Sequence, residues 1–289
     1  MYQIIYENQT LTMLPSTPFS LARSCACGQA FRFRSEGEGF FGVVNGRGVF
    51  LKQAGAGLSV YPCARHEIEG LVRYFDMERD YGAIESQIMA DERLKACLPC
   101  ASGIRIFQQD PFETLISFIL SANNNVKRIQ KTVAALCDAT GEAVTDDVYS
   151  YRRFPAPKAL SLLREDELRA LGAGYRAPFI RKSAQMVADG YDLEALRRLP
   201  LALARKALCA FPGVGEKVAD CVLLFSLSHT DAFPMDVWMK RAVRELIFGG
   251  TEPGKARIAS EIGKLGPASG IVQQYVFHYA RENGIGVRT

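Results

Sequence analysis

Hydrophobic positions along this chain follow two periods. Up to about residue 62 they come in short β-type runs, Phe40–Val44, Gly48–Leu51 and Leu58–Tyr61, separated by Asn45-Gly46 and by Gly55-Ala56-Gly57. Asn-Gly suits a two-residue hairpin, because both central residues of such a turn need positive φ. Tyr2–Tyr6 offers one more strand, so an antiparallel sheet is expected here. From about His66 the period becomes helical, beginning with Ile68, Leu71, Val72 and Phe75.

Asp110-Pro111-Phe112-Glu113 has the signature of a helix start. Asp110 can cap, Pro111 suits the first helical position and Glu113 can reach back as a capping-box partner. Phe112, Leu115, Ile116, Ile119 and Leu120 then form one apolar stripe. Further helices are predicted over 166–171, 178–189, 193–199, 203–210, 217–227, 237–248, 254–265 and 272–281. The expected fold is α+β, with two domains. Residues 1–100 form an antiparallel sheet and a following helix. Residues 101–289 form a helical domain in two lobes, its last helices packing back toward the N-terminal part.

Between the helices at 203–210 and 217–227 lies Phe211-Pro212-Gly213-Val214-Gly215, which cannot continue either one. Two helices joined by such a turn form a helix-hairpin-helix that aims backbone N–H groups at one anion, and the second helix adds the positive end of its dipole. Gly213, Val214 and Gly215 are therefore expected on a DNA phosphate. A bare helix–helix corner without a ligand is the alternative. Lys217 opens the second helix. Burial and a helix N-terminus both disfavour an ammonium, and a neutral amine can attack a sugar carbon and leave a Schiff base. Pairing with phosphate is the plainer role. Asp236, in Phe233-Pro234-Met235-Asp236-Val237, caps the next helix, a role worth about 1 kcal/mol. Held there as a carboxylate, it can also stabilise positive charge developing on a sugar.

Composition changes this picture little. With 48% hydrophobic residues over 289 positions there is ample material for a core. The balance of 35 basic and 31 acidic residues, net +4, is compatible with nucleic acid without requiring it. The N-terminus shows no secretory signal, and no apolar run is long enough to span a membrane. Eight scattered cysteines fit an intracellular protein with reduced thiols. Cys97-Leu98-Pro99-Cys100 lacks two further ligands for zinc, and no cysteine follows Cys221 to build an iron–sulfur cluster, so no metal is expected.

The segment 211–221 with Pro234–Val237 resembles the helix-hairpin-helix DNA glycosylases, and Lys217 resembles the lysine of members that also nick the strand. Cys27-Gly28-Gln29-Ala30-Phe31-Arg32, Gln109–Glu113, Ser117–Asn125 with Arg128, and Gly174-Tyr175-Arg176-Ala177 narrow the resemblance to the 8-oxoguanine DNA glycosylase/AP lyase branch. The resemblance implies a strand at Cys27–Arg32 whose Gly28 carbonyl accepts the N7–H that 8-oxoguanine has and guanine lacks. It places Cys221, Gln273 and Phe277 around the flipped base. Asn123, Arg128 and Arg176 would contact the orphaned cytosine, and Tyr175 would wedge between bases. It implies double-stranded DNA with 8-oxoguanine opposite cytosine as substrate, a monomer, no cofactor for the chemistry, and a monovalent cation held by the hairpin carbonyls. Trp238 departs from the pattern. It stands where the animal enzymes carry a phosphate-contacting histidine, and an indole donates one hydrogen bond without charge. Two other functions compete: a glycosylase of this type for another damaged base, and a non-enzymatic module that binds DNA through the hairpin alone.

Overall fold

The computed structural model describes residues 2–285; Met1 and residues 286–289, at the ends of the two expected domains, lie outside the described residues. Six strands build the N-terminal sheet: β1 (Tyr2–Glu7), β2 (Thr10–Pro15), β3 (Arg34–Glu36), β4 (Gly39–Val44), β5 (Arg47–Ala54) and β6 (Gly57–Tyr61). Their order is β1-β2-β6-β5-β4-β3, antiparallel throughout. Asn45 and Gly46 have φ of 50° and 75° and join Val44 to Arg47 as the expected tight turn. The same geometry recurs at Asn8 and Gln9, which a sequence without Gly does not advertise.

Five helices follow or interrupt the sheet: α1 (Leu21–Ala26), α2 (Ile68–Tyr74), α3 (Tyr81–Ala90), α4 (Leu98–Ala101) and α5 (Pro111–Ser121). Then come α6 (Val126–Thr140), a small hairpin of β7 (Ala143–Thr145) and β8 (Ser150–Arg152), α7 (Pro157–Leu162), α8 (Glu165–Ala170) and α9 (Ala177–Ala188). The chain ends with α10 (Leu201–Leu208), α11 (Glu216–Ser226), α12 (Val237–Phe248), α13 (Lys255–Lys264) and α14 (Ser269–Glu282). The expected helix at 193–199 is a 3-10 turn, Glu194–Arg198. The β7–β8 hairpin interrupts a region that reads as helical in sequence.

Two apolar cores result. Leu11, Met13, Leu51, Leu58, Val60 and Phe75 pack under the sheet, while Ile104, Leu115, Ile116, Leu136 and Leu223 belong to the helical core. The helical core includes Cys27 and Phe31, so the segment after α1 leaves the sheet and enters the other lobe. The last helix crosses back. Gln274 on α14 donates to the Cys27 carbonyl at 3.0 Å, and Arg281 to the Ala26 carbonyl at 3.2 Å.

The capping box at α5 is only half made. The Glu113 N–H donates to Asp110 Oδ1 at 2.8 Å, as expected of a cap. The Glu113 carboxylate, however, turns away to Arg32 at 3.3 Å. A cation from the other lobe offers it more than a backbone N–H does in this shielded place. The Cys97–Cys100 pair serves packing. Cys97 is fully buried, and burial pushes its thiol up to about 12. Among the described residues no group of three His, Cys, Asp or Glu side chains could hold a metal.

Candidate active site

Between α11, α12 and α14 lies a cavity of about 60 Å³, lined by Cys27, Gly28, Phe118, Lys217, Cys221, Phe225, Pro234, Asp236, Gln273, Gln274 and Phe277. Six of these, Gly28, Lys217, Cys221, Asp236, Gln273 and Phe277, are separated by up to 249 positions in sequence and meet here. The volume admits a few waters and no purine, so a base enters only if a side chain or loop yields.

Each side chain is delivered by a local device. The turn after α10 ends at Gly215, the N-cap of α11, which puts Lys217 in the first turn of that helix. Gly213 there has φ +78°, and a Cβ would lie 2.6 Å from the Phe179 ring, so both conformation and space require glycine. Gly213 and Gly215 are exposed, whereas Val214 between them is buried. Lys217 Nζ lies 3.3 Å from Ser121 Oγ, which itself donates to the Phe118 carbonyl at 2.7 Å. The ammonium also sits 5.2 Å from the centroid of the Phe118 ring. One turn further along α11, Cys221 is buried, and burial pushes its thiol up to about 11 although Lys217 draws it down. It is a neutral thiol at physiological pH. Asp236 caps α12, accepting from the Met239 N–H at 2.7 Å.

The expected strand at Cys27–Arg32 is not one. These residues run irregularly between α1 and β3. Gly28 has φ +85° in open space, so glycine is needed there for conformation alone. Tertiary hydrogen bonds hold this segment where a strand ladder would have held it in a sheet. Gln29, fully buried, donates to the carbonyls of Ser24 and Arg105 and accepts from the Phe107 N–H, while Gln109 donates to the Gln29 carbonyl. In the cavity wall, Gln273 Oε1 is buried without a hydrogen-bond partner among the described residues. An unpaired buried acceptor costs about 1–3 kcal/mol, so it is an acceptor waiting for a donor.

The second group of expected residues lies outside the cavity, at one turn of chain after α5. Tyr175 is 56% exposed, and its hydroxyl donates to the Ala122 carbonyl at 3.2 Å. Arg176 is only 5% exposed. Its guanidinium donates to the carbonyls of Ala122, Asn123 and Ala173 and stacks 4.3 Å from the Tyr175 ring. It is thus engaged with backbone, where the sequence places it on a base. Asn123, at φ +50°, and Arg128, in the first turn of α6, are exposed. Trp238 is 37% exposed in the first turn of α12.

Sequence reasoning passed over Phe118, Phe225, Gln274 and Ser121 as site residues. Phe118 and Phe225 stack at 5.4 Å and 17° and floor the cavity. In sequence they read as ordinary apolar helix residues, and no spacing signal distinguishes them from core.

Comparison with known proteins agrees with this architecture. Residues 12–115 match the family described as 8-oxoguanine DNA glycosylase, N-terminal domain, and residues 116–268 match the HhH-GPD superfamily base excision DNA repair protein. The chain is 32% identical to a probable N-glycosylase/DNA lyase of Methanothermobacter thermautotrophicus over 73% of its length and 72% of the relative's. It is 32% identical to an N-glycosylase/DNA lyase of Arabidopsis thaliana over 78% of its own length and 66% of that protein's. A Clostridium acetobutylicum 8-oxoguanine glycosylase/lyase, solved with double-stranded DNA containing cytosine opposite 8-oxoguanine, superposes with TM-score 0.91 at 32% identity, over 99% of both chains. A 3-methyladenine DNA glycosylase of Archaeoglobus fulgidus, at 20% identity and TM-score 0.76, shares the fold. With both lobes matched and the lysine, aspartate and base-pocket residues converging on one cavity, this chain belongs to the 8-oxoguanine DNA glycosylase/AP lyase branch of the HhH-GPD superfamily.

Proposed function

We propose that the protein excises 8-oxoguanine opposite cytosine from double-stranded DNA and nicks the strand, with Lys217 as nucleophile. The observation that carries this reading is the shared cavity of Lys217, Asp236 and Gly28. The base leaves the stack at a cost of about a few kcal/mol. Exposed Tyr175 pushes in behind it, and Asn123, Arg128 and a re-aimed Arg176 take the orphaned cytosine. The Gly28 carbonyl accepts N7–H of the lesion, Gln273 Oε1 gains a donor from the base edge, and Phe277 closes on the ring.

Lys217 gives up a proton and its nitrogen attacks C1′ of the sugar. The C1′–N9 bond breaks and the base leaves with both bonding electrons, taking up the proton that Lys217 gave up. Asp236, held as a carboxylate by its cap, stabilises the positive charge that grows on the sugar. Ring opening gives the Schiff base. A proton lost from C2′ then expels the 3′ phosphate by β-elimination. Water later releases the lysine.

The hairpin backbone at Gly213, Val214 and Gly215 holds a phosphate. Carbonyls of the turn have a spare lone pair even where, as at Phe211, one hydrogen bond is already accepted. They suit a monovalent cation that offsets phosphate charge. No catalytic step passes through it, and the chemistry needs no other cofactor. The working unit is a monomer inside the cell. No helix among the described residues is long and apolar enough to cross a membrane.

Borohydride trapping on a duplex with 8-oxoguanine opposite cytosine tests the proposal. A covalent adduct is expected with the native chain and none with Lys217→Gln. Base release without any adduct would make water the nucleophile and end the lyase assignment. Release of a different lesion in preference would move the substrate, and binding without any release would reduce the protein to a DNA-binding module.

A further inference from the structure

The base cavity is small beside a second hollow of the protein. A groove of about 1010 Å³ runs between the N-terminal sheet, α6 and the β7–β8 hairpin. Its charged lining is one-sided: Arg32, Arg34, Lys127, Arg152 and Arg281 against the single carboxylate of Asp138. The whole chain, by contrast, is nearly balanced. Three of the cations are engaged. Arg32 pairs with Glu113, Arg34 with Glu36, and Arg281 approaches Glu282 at 4.0 Å. Lys127 and Arg152 have no carboxylate partner among the described residues; Arg152 gives one N–H to the Gly141 carbonyl at 3.1 Å. Both are exposed, and the half-buried rings of Phe40 and Tyr151 line the same groove. Exposed cations without a carboxylate partner along an open groove suit the phosphates of a nucleic-acid strand.

Continuity with the site gives the occupant. Val126 and Lys127 lie between Asn123 and Arg128 in the chain, so the groove opens beside the orphan-base residues. We infer that the groove guides the complementary strand of the substrate duplex as it leaves the orphan cytosine, with Lys127 and Arg152 on its phosphates. This rests on the reading of Asn123 and Arg128 as contacts to that strand. The groove also shares a wall with the base cavity. Phe31 lines the groove and packs edge-on against Phe118, the cavity floor, with centroids 5.5 Å apart.

The test uses the full chain with Lys127→Glu and Arg152→Glu combined, and fluorescence anisotropy on lesion duplexes whose complementary strand is trimmed from one end or the other. On the full duplex the variant is expected to bind about tenfold more weakly at low salt, with the slope of log Kd against log salt reduced by about 1.8, two duplex phosphate contacts' worth. Trimming one particular end of the complementary strand should abolish the difference, and single-turnover excision at saturating enzyme should not change. The neutral pair Lys127→Gln and Arg152→Gln should show the same end dependence to a smaller degree, which guards against misfolding of the reversed pair. Equal loss on all duplexes, or no loss, overturns the inference. So does competition by a free nucleotide without end dependence, which would make the groove a small-molecule site. If Asn123→Ala keeps cytosine selectivity while trimming still matters, the groove stands and the orphan-base reading falls.

Discussion

The base cavity and the orphan-base turn, which we propose to recognise two sides of one lesion pair, are built in opposite ways. The cavity takes Lys217, Cys221 and Gln273 from helix interiors or first turns, buried or half-buried, with the Phe118–Phe225 stack beneath. The turn presents Asn123, Arg128 and Tyr175 to solvent, on irregular chain or at a helix start, and is held by one buried guanidinium on backbone carbonyls. Chemistry that tolerates no misplacement sits on rigid elements. A contact that must form only after the duplex is opened sits where re-aiming is cheap.

The largest effect should come from the cavity. Asp236→Asn keeps an N-cap of equal quality while removing the charge, so melting should shift little and the excision rate fall by about 10²–10³-fold. A loss of stability matching the loss of rate would make Asp236 a cap and nothing more. On the other side, Arg176→Ala leaves the Asn123 carbonyl without its donor and the Ala122 carbonyl with only the Tyr175 hydroxyl. A destabilisation of about 2 kcal/mol and reduced discrimination between cytosine and other opposite bases are expected, with excision from an already preferred pair less affected. Denaturant unfolding and an opposite-base series read the two parts separately.

Glu113 links the two regions, joining the Gly28 segment through Arg32 to the helix that ends at Ser121. Burial raises its carboxyl to about 7 despite Arg32. In the unfolded chain it ionises near 4.5, so between about 4.5 and 7 the native state binds more protons and stability falls as pH rises. Glu113→Gln should flatten that part of the stability–pH curve, measured by thermal melting from pH 4.5 to 8. An unchanged slope would place the titration elsewhere. The smallest effect is expected at Trp238→His, in the first turn of α12. It should tighten DNA binding by a few-fold at low salt and acid pH, where the imidazole is charged, and do nothing at high salt.

Much of this was legible in one dimension. Asn45-Gly46 announces its turn because few residues accept positive φ, and Asp110 and Asp236 announce helix starts because a cap is a local matter of three residues. The α5 stripe is equally local. Glu113 shows where local reasoning stops: its spacing is right for a capping box, and a cation 81 positions away took the carboxylate instead. Cys27–Arg32 was misread as a strand for the same reason. Its shape is set by Gln29, Arg105, Gln109 and Gln274, which no nearby residue reveals.

By itself the sequence determined the sheet, most of the helices, the glycine turn and the chemical types available at Lys217 and Asp236, because periodicity, capping and turn propensity act within a few residues. Only the tertiary structure decided that Phe118 and Phe225 floor the cavity rather than pad the core, that Arg176 faces inward onto carbonyls, that Gln273 keeps a lone acceptor, and that unpaired Lys127 and Arg152 line one groove. Those outcomes depend on which distant groups arrive to share burial, charge or a hydrogen bond, and that competition is settled only when the lobes close on each other.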